Sequence, residues 1–195
     1  AICAGPGNPP VVVDETAGRV PILAGAGGYN TREVIETARQ MQHAGAQGLL
    51  SVTPYYNKPT PEGLYRHYSA IADATPLPIV VYNVPARTGC NVDPVTLARL
   101  ATIPHIAGVK EASGNMTQIC EVCHIVPDDF IVLSGDDALT LPAMAAGARG
   151  VISVASNEVP GPMSRMVEAF ERNDAAGARE LHHHLLPLML INFVE

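Results

Sequence analysis

The sequence has no tryptophan, and aromatic residues make up only 5% of its 195 residues. Charged residues are also scarce, at 16%, and a formal net charge of -7 leaves no basic stripe of the kind that binds nucleic acid. The longest apolar runs have the length of a strand, far below the roughly 20 residues that cross a bilayer. The N-terminal residues do not combine a basic segment with an apolar one, as a secretory signal does. We therefore expect a cytoplasmic protein without a nucleic-acid or membrane partner.

Four cysteines in a chain this large and apolar do not predict a disulfide framework, which fits a reducing compartment. Cys120 and Cys123 form a C-x-x-C pair, a spacing found in zinc and redox sites. A second pair at metal-ligand spacing is missing, so we interpret the two as small apolar residues on a helix. Three consecutive histidines, 182–184, point three ways round a predicted helix and cannot share one metal. We predict no metal site.

The sequence does contain a regular alternation of apolar, β-rich runs and segments with helical periodicity. Six runs predict strands at Pro21–Gly27, Gly48–Tyr55, Pro78–Val84, Ile106–Ala112, Phe130–Asp136 and Gly150–Ala155. Helices are predicted at Thr31–Ala44, Pro61–Ala74, Asp93–Ala101, Met116–Val126, Leu139–Ala146, Met163–Asn173 and Ala175–Leu186.

The predicted strands are almost wholly apolar, which is typical of parallel strands covered on both faces. Strict alternation with helices leaves two α/β folds, a doubly wound sheet or a (β/α)8 TIM barrel. The sequence lacks the glycine-rich loop of a nucleotide site, so we favour the barrel. We predict one domain over residues 1–195, with a helical segment from about residue 160. Six strands are two fewer than a closed barrel needs, so the barrel is expected to be incomplete.

Polar residues gather where these strands end, which is the active-site end in either fold. Lys110 ends one apolar strand, and a buried lysine is costly unless it is paired or functional. Burial lowers the pKa of a lysine, and the unprotonated amine can attack a carbonyl to form an imine. The alternative is a structural ion pair with Glu111 or with an aspartate of the next strand. The strand alone does not decide between the two.

Tyr82 ends the preceding predicted strand, and Arg87 follows on the loop. A tyrosine in that position can move protons for chemistry at the lysine. The planar guanidinium of an arginine at the mouth of the site suits a carboxylate. These residues together predict a site for a carbonyl substrate that carries a carboxylate.

Several motifs resemble those of the dihydrodipicolinate synthase family, within the N-acetylneuraminate lyase superfamily of pyruvate-dependent class I aldolases. The resemblance runs from about Val11 to Glu195. It is carried by T-P-Y-Y-N-K-P from Thr53, Y-N-V-P-A-R-T-G from Tyr82, G-V-K-E-A-S-G from Gly108 and L-S-G-D-D from Leu133. The runs G-L-Y-R-H-Y from Gly63 and G-V-I-S-V from Gly150 also match.

The resemblance implies a role for each matching residue. Lys110 would form the Schiff base with pyruvate, and Tyr82 would shuttle protons. Tyr56 would reach the proton relay of a neighbouring subunit in a homodimer or homotetramer. Arg87 would bind the carboxylate of aspartate semialdehyde. The remaining matches are a pyruvate contact at Ile152 and a position in the site wall at Gly135.

The implied reaction condenses pyruvate with L-aspartate 4-semialdehyde to give 4-hydroxy-tetrahydrodipicolinate, a step of lysine and diaminopimelate biosynthesis. The covalent imine on Lys110 is the electron sink, so no cofactor is expected.

The chain departs from the family pattern at three places. The family carries a Gly-Thr-Thr-Gly-Glu motif that binds the pyruvate carboxylate. The nearest candidate here is the segment Ala4–Asn8, which contains no threonine. The first strand of the family and its C-terminal helices are missing. Glu33 and Tyr55 match two positions of a regulatory lysine site, but Tyr29 replaces the expected asparagine. We therefore predict weak or absent inhibition by lysine.

Two other functions remain open at this point. A related lyase would cleave N-acetylneuraminate or a 2-keto-3-deoxy sugar acid, and the position of Arg87 after Tyr82 argues against it. A shortened, non-catalytic family member would keep only the scaffold, which the missing threonines favour and the retained Lys110 opposes.

Overall fold

The structure is a computed structural model that describes residues 2–4 and 9–194. Its strands form one sheet in the order β1 to β6, and every neighbouring pair is parallel. The strands are β1 (Ile2–Ala4), β2 (Ile22–Gly25), β3 (Gly48–Val52), β4 (Ile79–Asn83), β5 (Ile106–Glu111) and β6 (Ile131–Ser134). The predicted α/β class with a parallel sheet is confirmed. Of the segment Ala4–Asn8, where the family's threonine motif was expected, residues 5–8 lie outside the described residues.

Helices follow the strands and are capped by residues that the sequence supplies. They are α1 (Pro9–Thr16), α2 (Thr31–His43), α3 (Pro61–Ala72), α4 (Pro85–Thr88), α5 (Pro94–Leu100), α6 (Met116–Ile125), α7 (Thr140–Ala146), α8 (Pro160–Glu171) and α9 (Ala175–Ile191). The side chains of Asn30, Thr60 and Asp93 accept backbone N–H bonds at the starts of α2, α3 and α5. Of the described helices, none is both long and apolar enough to cross a membrane.

The two faces of the sheet differ in how well they are covered. The face under the helices is fully buried and carries the main core, which includes Ala24, Leu49, Ile79, Val81, Val109 and Val132. Alternate residues point to the opposite face, where Leu23, Leu50, Val52 and Leu133 are half-buried and Ile131 is exposed. Lys110 and Tyr82 belong to this second face, which we call the inner face.

One predicted strand is wrong, the one at Gly150–Ala155. Only Val151 pairs there, in an isolated parallel bridge with Ser134, and a 3-10 helix follows at Ala155–Asn157. The backbone N–H groups of Val154 and Ala155 both donate to one carboxylate oxygen of Asp137, at 3.0 and 2.9 Å. These tertiary hydrogen bonds turn the chain away from the sheet, although its apolar pattern suits a strand.

The other predicted strands are confirmed, each one to three residues shorter than the sequence pattern suggested, and β1 was not predicted. A three-residue strand is too short to show a periodicity. Helix α9 runs past the predicted end at Leu186 and contains Pro187 within it. Helices α8 and α9 pack on each other around a separate cluster of buried side chains, Ala155, Met163, Met166, Leu185 and Met189.

A buried histidine between α2 and α3 makes stability depend on pH. The His67 side chain is 5% exposed, and its Nδ1 atom lies 2.9 Å from the Thr31 hydroxyl. Burial lowers the pKa of His67 from 6.5 to about 4. Between these values the unfolded chain binds the proton and the folded chain does not. The free energy of unfolding therefore falls as the pH falls from 6.5 to about 4, by up to about 3 kcal/mol.

We expect His67→Gln to remove this contribution from the pH dependence. Urea unfolding at pH 7 and pH 4.5 measures it, with the exposed His43→Gln as the matched control. The wild type and the control should lose more stability between the two pH values than His67→Gln does. Equal losses in all three proteins would contradict the assignment.

Candidate functional site

The centre of the candidate site is a lysine and a tyrosine at the ends of neighbouring strands. Lys110 on β5 and Tyr82 on β4 are register partners, so both side chains project from the inner face. The Lys110 Nζ atom lies 4.2 Å from the centroid of the Tyr82 ring. Lys110 is only 7% exposed, and the next residue, Glu111, is buried on the opposite face of the same strand. The structure thus brings together the two residues that the sequence predicted as catalytic.

Two opposing influences act on the phenol of Tyr82. Burial raises the pKa of Tyr82, and the positive charge of Arg87 lowers it by a smaller amount. The net effect is a raised pKa, so Tyr82 keeps its proton at neutral pH and can donate it. Arg87 lies on the short helix α4, which starts two residues after the end of β4, and its side chain is exposed. The guanidinium is therefore available to an anionic ligand near Tyr82.

Gly135, which the resemblance places in the wall of the site, lies directly beside Lys110. A Cβ atom added to Gly135 would lie 3.0 Å from the Cε atom of Lys110 and 2.6 Å from the Cβ atom of Ala112. The backbone N–H of Gly135 donates to the carbonyl of Glu111 at 2.7 Å, which ties this position to the end of β5. Only glycine leaves the room that the lysine side chain occupies.

Ile152 lies on the loop beside the same strand ends. Its backbone N–H donates to the carbonyl of Ser134 at 2.9 Å, one residue before Gly135. The side chain is half-buried and helps to line an inner-face cavity of about 680 Å³, together with Leu23 and Leu133. The two hydrogen bonds from this loop to Asp137 hold it in place. Asp137 is 1% exposed and is a positioning residue whose role the sequence did not reveal.

Tyr56 lies apart from the buried pair. It follows β3 on a loop, with a φ of 70° and 89% of its surface exposed. The backbone N–H of Tyr56 donates to the carbonyl of Thr88 at 3.4 Å, which anchors the loop to α4. An exposed tyrosine beside the site can contact a partner molecule, and its predicted role across a subunit interface stays a prediction.

The residues of the predicted lysine site lie on the same surface. Tyr29 and Tyr55 pack edge to face, with ring centroids 5.3 Å apart. Glu33, in the first turn of α2, accepts a hydrogen bond from the Asn30 side chain at 2.9 Å. Tyr29 therefore takes space beside Tyr55 that a smaller side chain would leave open.

A network of amide side chains lies on the helix-covered face of the sheet, and the sequence pattern did not predict it. Glu111, next to Lys110, accepts from the Asn83 amide at 2.8 Å, the Ser113 backbone N–H at 2.8 Å and the Gln118 amide at 3.4 Å. Asn91 links the two amides, accepting from Asn83 at 3.0 Å and exchanging bonds with Gln118. The sequence signal that could have predicted this network was Asn83, an amide at the end of an otherwise apolar strand.

The Cys120–Cys123 pair lies on α6, where Cys120 is exposed and Cys123 is half-buried. Burial is the largest cause of the raised pKa of Cys123, which keeps that thiol protonated at neutral pH. Within residues 9–194, no three histidine, cysteine or acidic side chains form a group that could hold a metal ion.

Comparisons with known proteins agree with this geometry. A sequence model of the dihydrodipicolinate synthetase family matches residues 10–195. The 4-hydroxy-tetrahydrodipicolinate synthase of Koribacter versatilis is 54% identical over 184 residues, which cover 94% of this chain and 61% of that protein. The dihydrodipicolinate synthase structure from Thermotoga maritima superposes with a TM-score of 0.95 at 41% identity, covering 97% of this chain and 66% of that one.

A third relative, from Acinetobacter baumannii, is a chloride-inhibited dihydrodipicolinate synthase whose structure contains pyruvate. It superposes with a TM-score of 0.94 at 40% identity, covering 97% of this chain and 65% of that one. The chain thus spans just under two thirds of the length of the relatives it matches. Because the family model covers nearly all of the chain and the fold agrees throughout, the chain belongs to the dihydrodipicolinate synthetase family.

Proposed function

We propose that the protein condenses pyruvate with L-aspartate 4-semialdehyde to 4-hydroxy-tetrahydrodipicolinate, through an imine on Lys110. The observation that carries the proposal is the buried Lys110 amine 4.2 Å from the Tyr82 ring. Support comes from family membership and from the relatives named as synthases, one of which binds pyruvate. The same family membership supports a place in lysine and diaminopimelate biosynthesis.

The first half of the proposed reaction uses the buried pair. The amine of Lys110 attacks the carbonyl of pyruvate, and Tyr82 donates the proton that helps the hydroxyl leave as water. Loss of a methyl proton from the cationic imine then gives an enamine. The imine itself accepts the electrons of that step, so the proposal includes no cofactor.

The second half uses the mouth of the site. Exposed Arg87 offers its guanidinium to the carboxylate of aspartate semialdehyde. The enamine carbon attacks the aldehyde, and the substrate amine displaces Lys110 as the ring closes. Ile152 would contact bound pyruvate from the loop that Asp137 holds.

We propose further that the six strands are part of an eight-stranded barrel. The strictly sequential parallel order of the sheet and the half-covered apolar inner face support this arrangement, and so does the share of the relatives' length that is matched. The exposed position of Tyr56 supports a homodimer or homotetramer in which this side chain reaches a neighbouring subunit.

A substrate panel tests the proposed function. The purified protein is incubated with pyruvate and L-aspartate 4-semialdehyde, and in parallel with N-acetylneuraminate or a 2-keto-3-deoxy sugar acid. We expect consumption of the semialdehyde and no cleavage of the sugar acids. Cleavage of a sugar acid, with the semialdehyde ignored, would make the protein a lyase of the same superfamily.

We also predict that lysine inhibits the reaction weakly or not at all. The Tyr29 ring packs against Tyr55, where the resemblance expects an asparagine in the lysine site. Replacing Tyr29 by asparagine removes the ring and is expected to increase inhibition at millimolar lysine. Initial rates with and without lysine measure the effect in both proteins. Strong inhibition of the wild type by lysine would refute the prediction.

A further inference from the structure

The strongest unassigned feature lies directly behind the Lys110–Tyr82 pair. Glu111 and Asn83 each follow one member of that pair in sequence, and they are register partners on the opposite face of the sheet. The carboxylate of Glu111 is 1% exposed and accepts hydrogen bonds from Asn83, Ser113 and Gln118. A buried carboxylate is thus fixed one residue away from the lysine.

The hydrogen-bond partners of this carboxylate are all N–H donors. All three bonds recorded for Glu111 are accepted from N–H groups, and bonds of that kind favour the ionised form of a carboxyl. Asn91 accepts from both amides, at 3.0 and 3.1 Å, and so holds the donors in place. The cluster therefore stabilises a negative charge on a carboxylate that is shielded from water.

The carboxylate of Glu111 acts on the Cys123 thiol of α6, which packs near the same cluster. Burial raises the pKa of this thiol most, and the neighbouring Cys120 and Glu111 raise it further, so the thiol keeps its proton near pH 7. In a water-poor interior, such a charge acts over longer distances than it does at the surface.

We propose that Glu111 is a positioning residue whose buried carboxylate stabilises the positively charged imine on Lys110. The inference rests on the proposed imine chemistry and gives a reason for the buried acid next to Lys110 in this chain. Asn83, Gln118 and Ser113 hold the carboxylate on the helix-covered face, where it cannot reach the substrate. It therefore acts by charge and takes no proton.

Trapping of the imine with borohydride tests the proposal. The fraction of protein that becomes labelled is measured against pyruvate concentration for the wild type and for Glu111→Gln, which keeps the size of the side chain. We expect the pyruvate concentration for half-maximal labelling to rise about tenfold, because a charge interaction that shifts a pKa by about one unit changes an equilibrium constant about tenfold. The labelled fraction at saturating pyruvate should remain near that of the wild type.

Asn91→Ala is the matched control, since it removes three hydrogen bonds of the network and leaves the charge in place. It should lower the melting temperature and leave the half-labelling concentration within about twofold of the wild type. If Asn91→Ala raises that concentration as much as Glu111→Gln does, the network acts through geometry and the charge proposal is overturned. An unchanged concentration in folded Glu111→Gln overturns it as well.

A double variant covers the case in which Glu111→Gln does not fold. Glu111→Gln combined with Gln118→Glu keeps one carboxylate in the same cluster. The proposal then requires half-labelling within about threefold of the wild type, and a tenfold rise contradicts it. Failure of the proposed function is distinguishable, because in that case the wild type itself is not labelled.

Discussion

Replacing Lys110 with methionine is expected to abolish labelling by pyruvate and borohydride and to lower turnover by at least about a thousandfold. Methionine has a similar length but no amine, so no imine can form. The side chain is 7% exposed, so an apolar replacement of similar length suits its surroundings. A loss of labelling with intact folding would assign the nucleophile.

The chain offers a clean control for this substitution, because its sequence contains just one other lysine, Lys58. That residue is exposed on the loop after β3. Lys58→Arg should be labelled like the wild type. Should Lys110→Met be labelled and Lys58→Arg not, the site would lie on the surface loop and the account would be wrong.

The second large effect is expected for Gly135→Ala. The added methyl would meet the Ala112 Cβ atom at 2.6 Å and the Lys110 Cε atom at 3.0 Å, so the lysine or the strand end must move. A displacement of about 1 Å in a reacting group costs on the order of a hundredfold in rate. We expect the rate of imine labelling to fall by that factor, with a stability loss of about 1–3 kcal/mol from overpacking.

Gly161→Ala serves as the matched glycine control. Gly161 lies in the first turn of α8, where an added Cβ would meet only the flexible end of Arg165 at 3.3 Å. That variant should keep both labelling rate and melting temperature. Labelling of Gly135→Ala at the rate of the wild type would show that the wall does not fix the position of the lysine.

The sequence was sufficient for the parts of the fold that depend on local pattern. Strands β2 to β6 are continuous apolar runs, and parallel strands of this kind bring their carboxyl ends to one edge of the sheet. The proximity of Lys110 and Tyr82 follows from that rule, since they end neighbouring strands. The positions of Lys110 and Tyr82 at the ends of predicted strands therefore predicted that the two side chains lie close together.

Other features depend on contacts between distant residues and had no local signal. The loop at Gly150–Ala155 has the composition of a strand, but the backbone N–H groups of Val154 and Ala155 donate to the distant Asp137 and hold it as a loop. The side-chain hydrogen bonds to Glu111 come from Asn83 on β4 and Gln118 on α6, and no spacing rule connects these residues in sequence. The half-covered inner face likewise had no local signal, because side chains from several separate strands form it.

The most direct test of the central claim is to locate the borohydride-trapped pyruvate adduct by peptide mass spectrometry. With two lysines in the sequence, one buried beside Tyr82 and one exposed, the peptides distinguish them without ambiguity. We predict a reduced pyruvyl adduct on Lys110 and none on Lys58. A folded sample without an adduct on Lys110, at saturating pyruvate, would contradict the proposed imine chemistry.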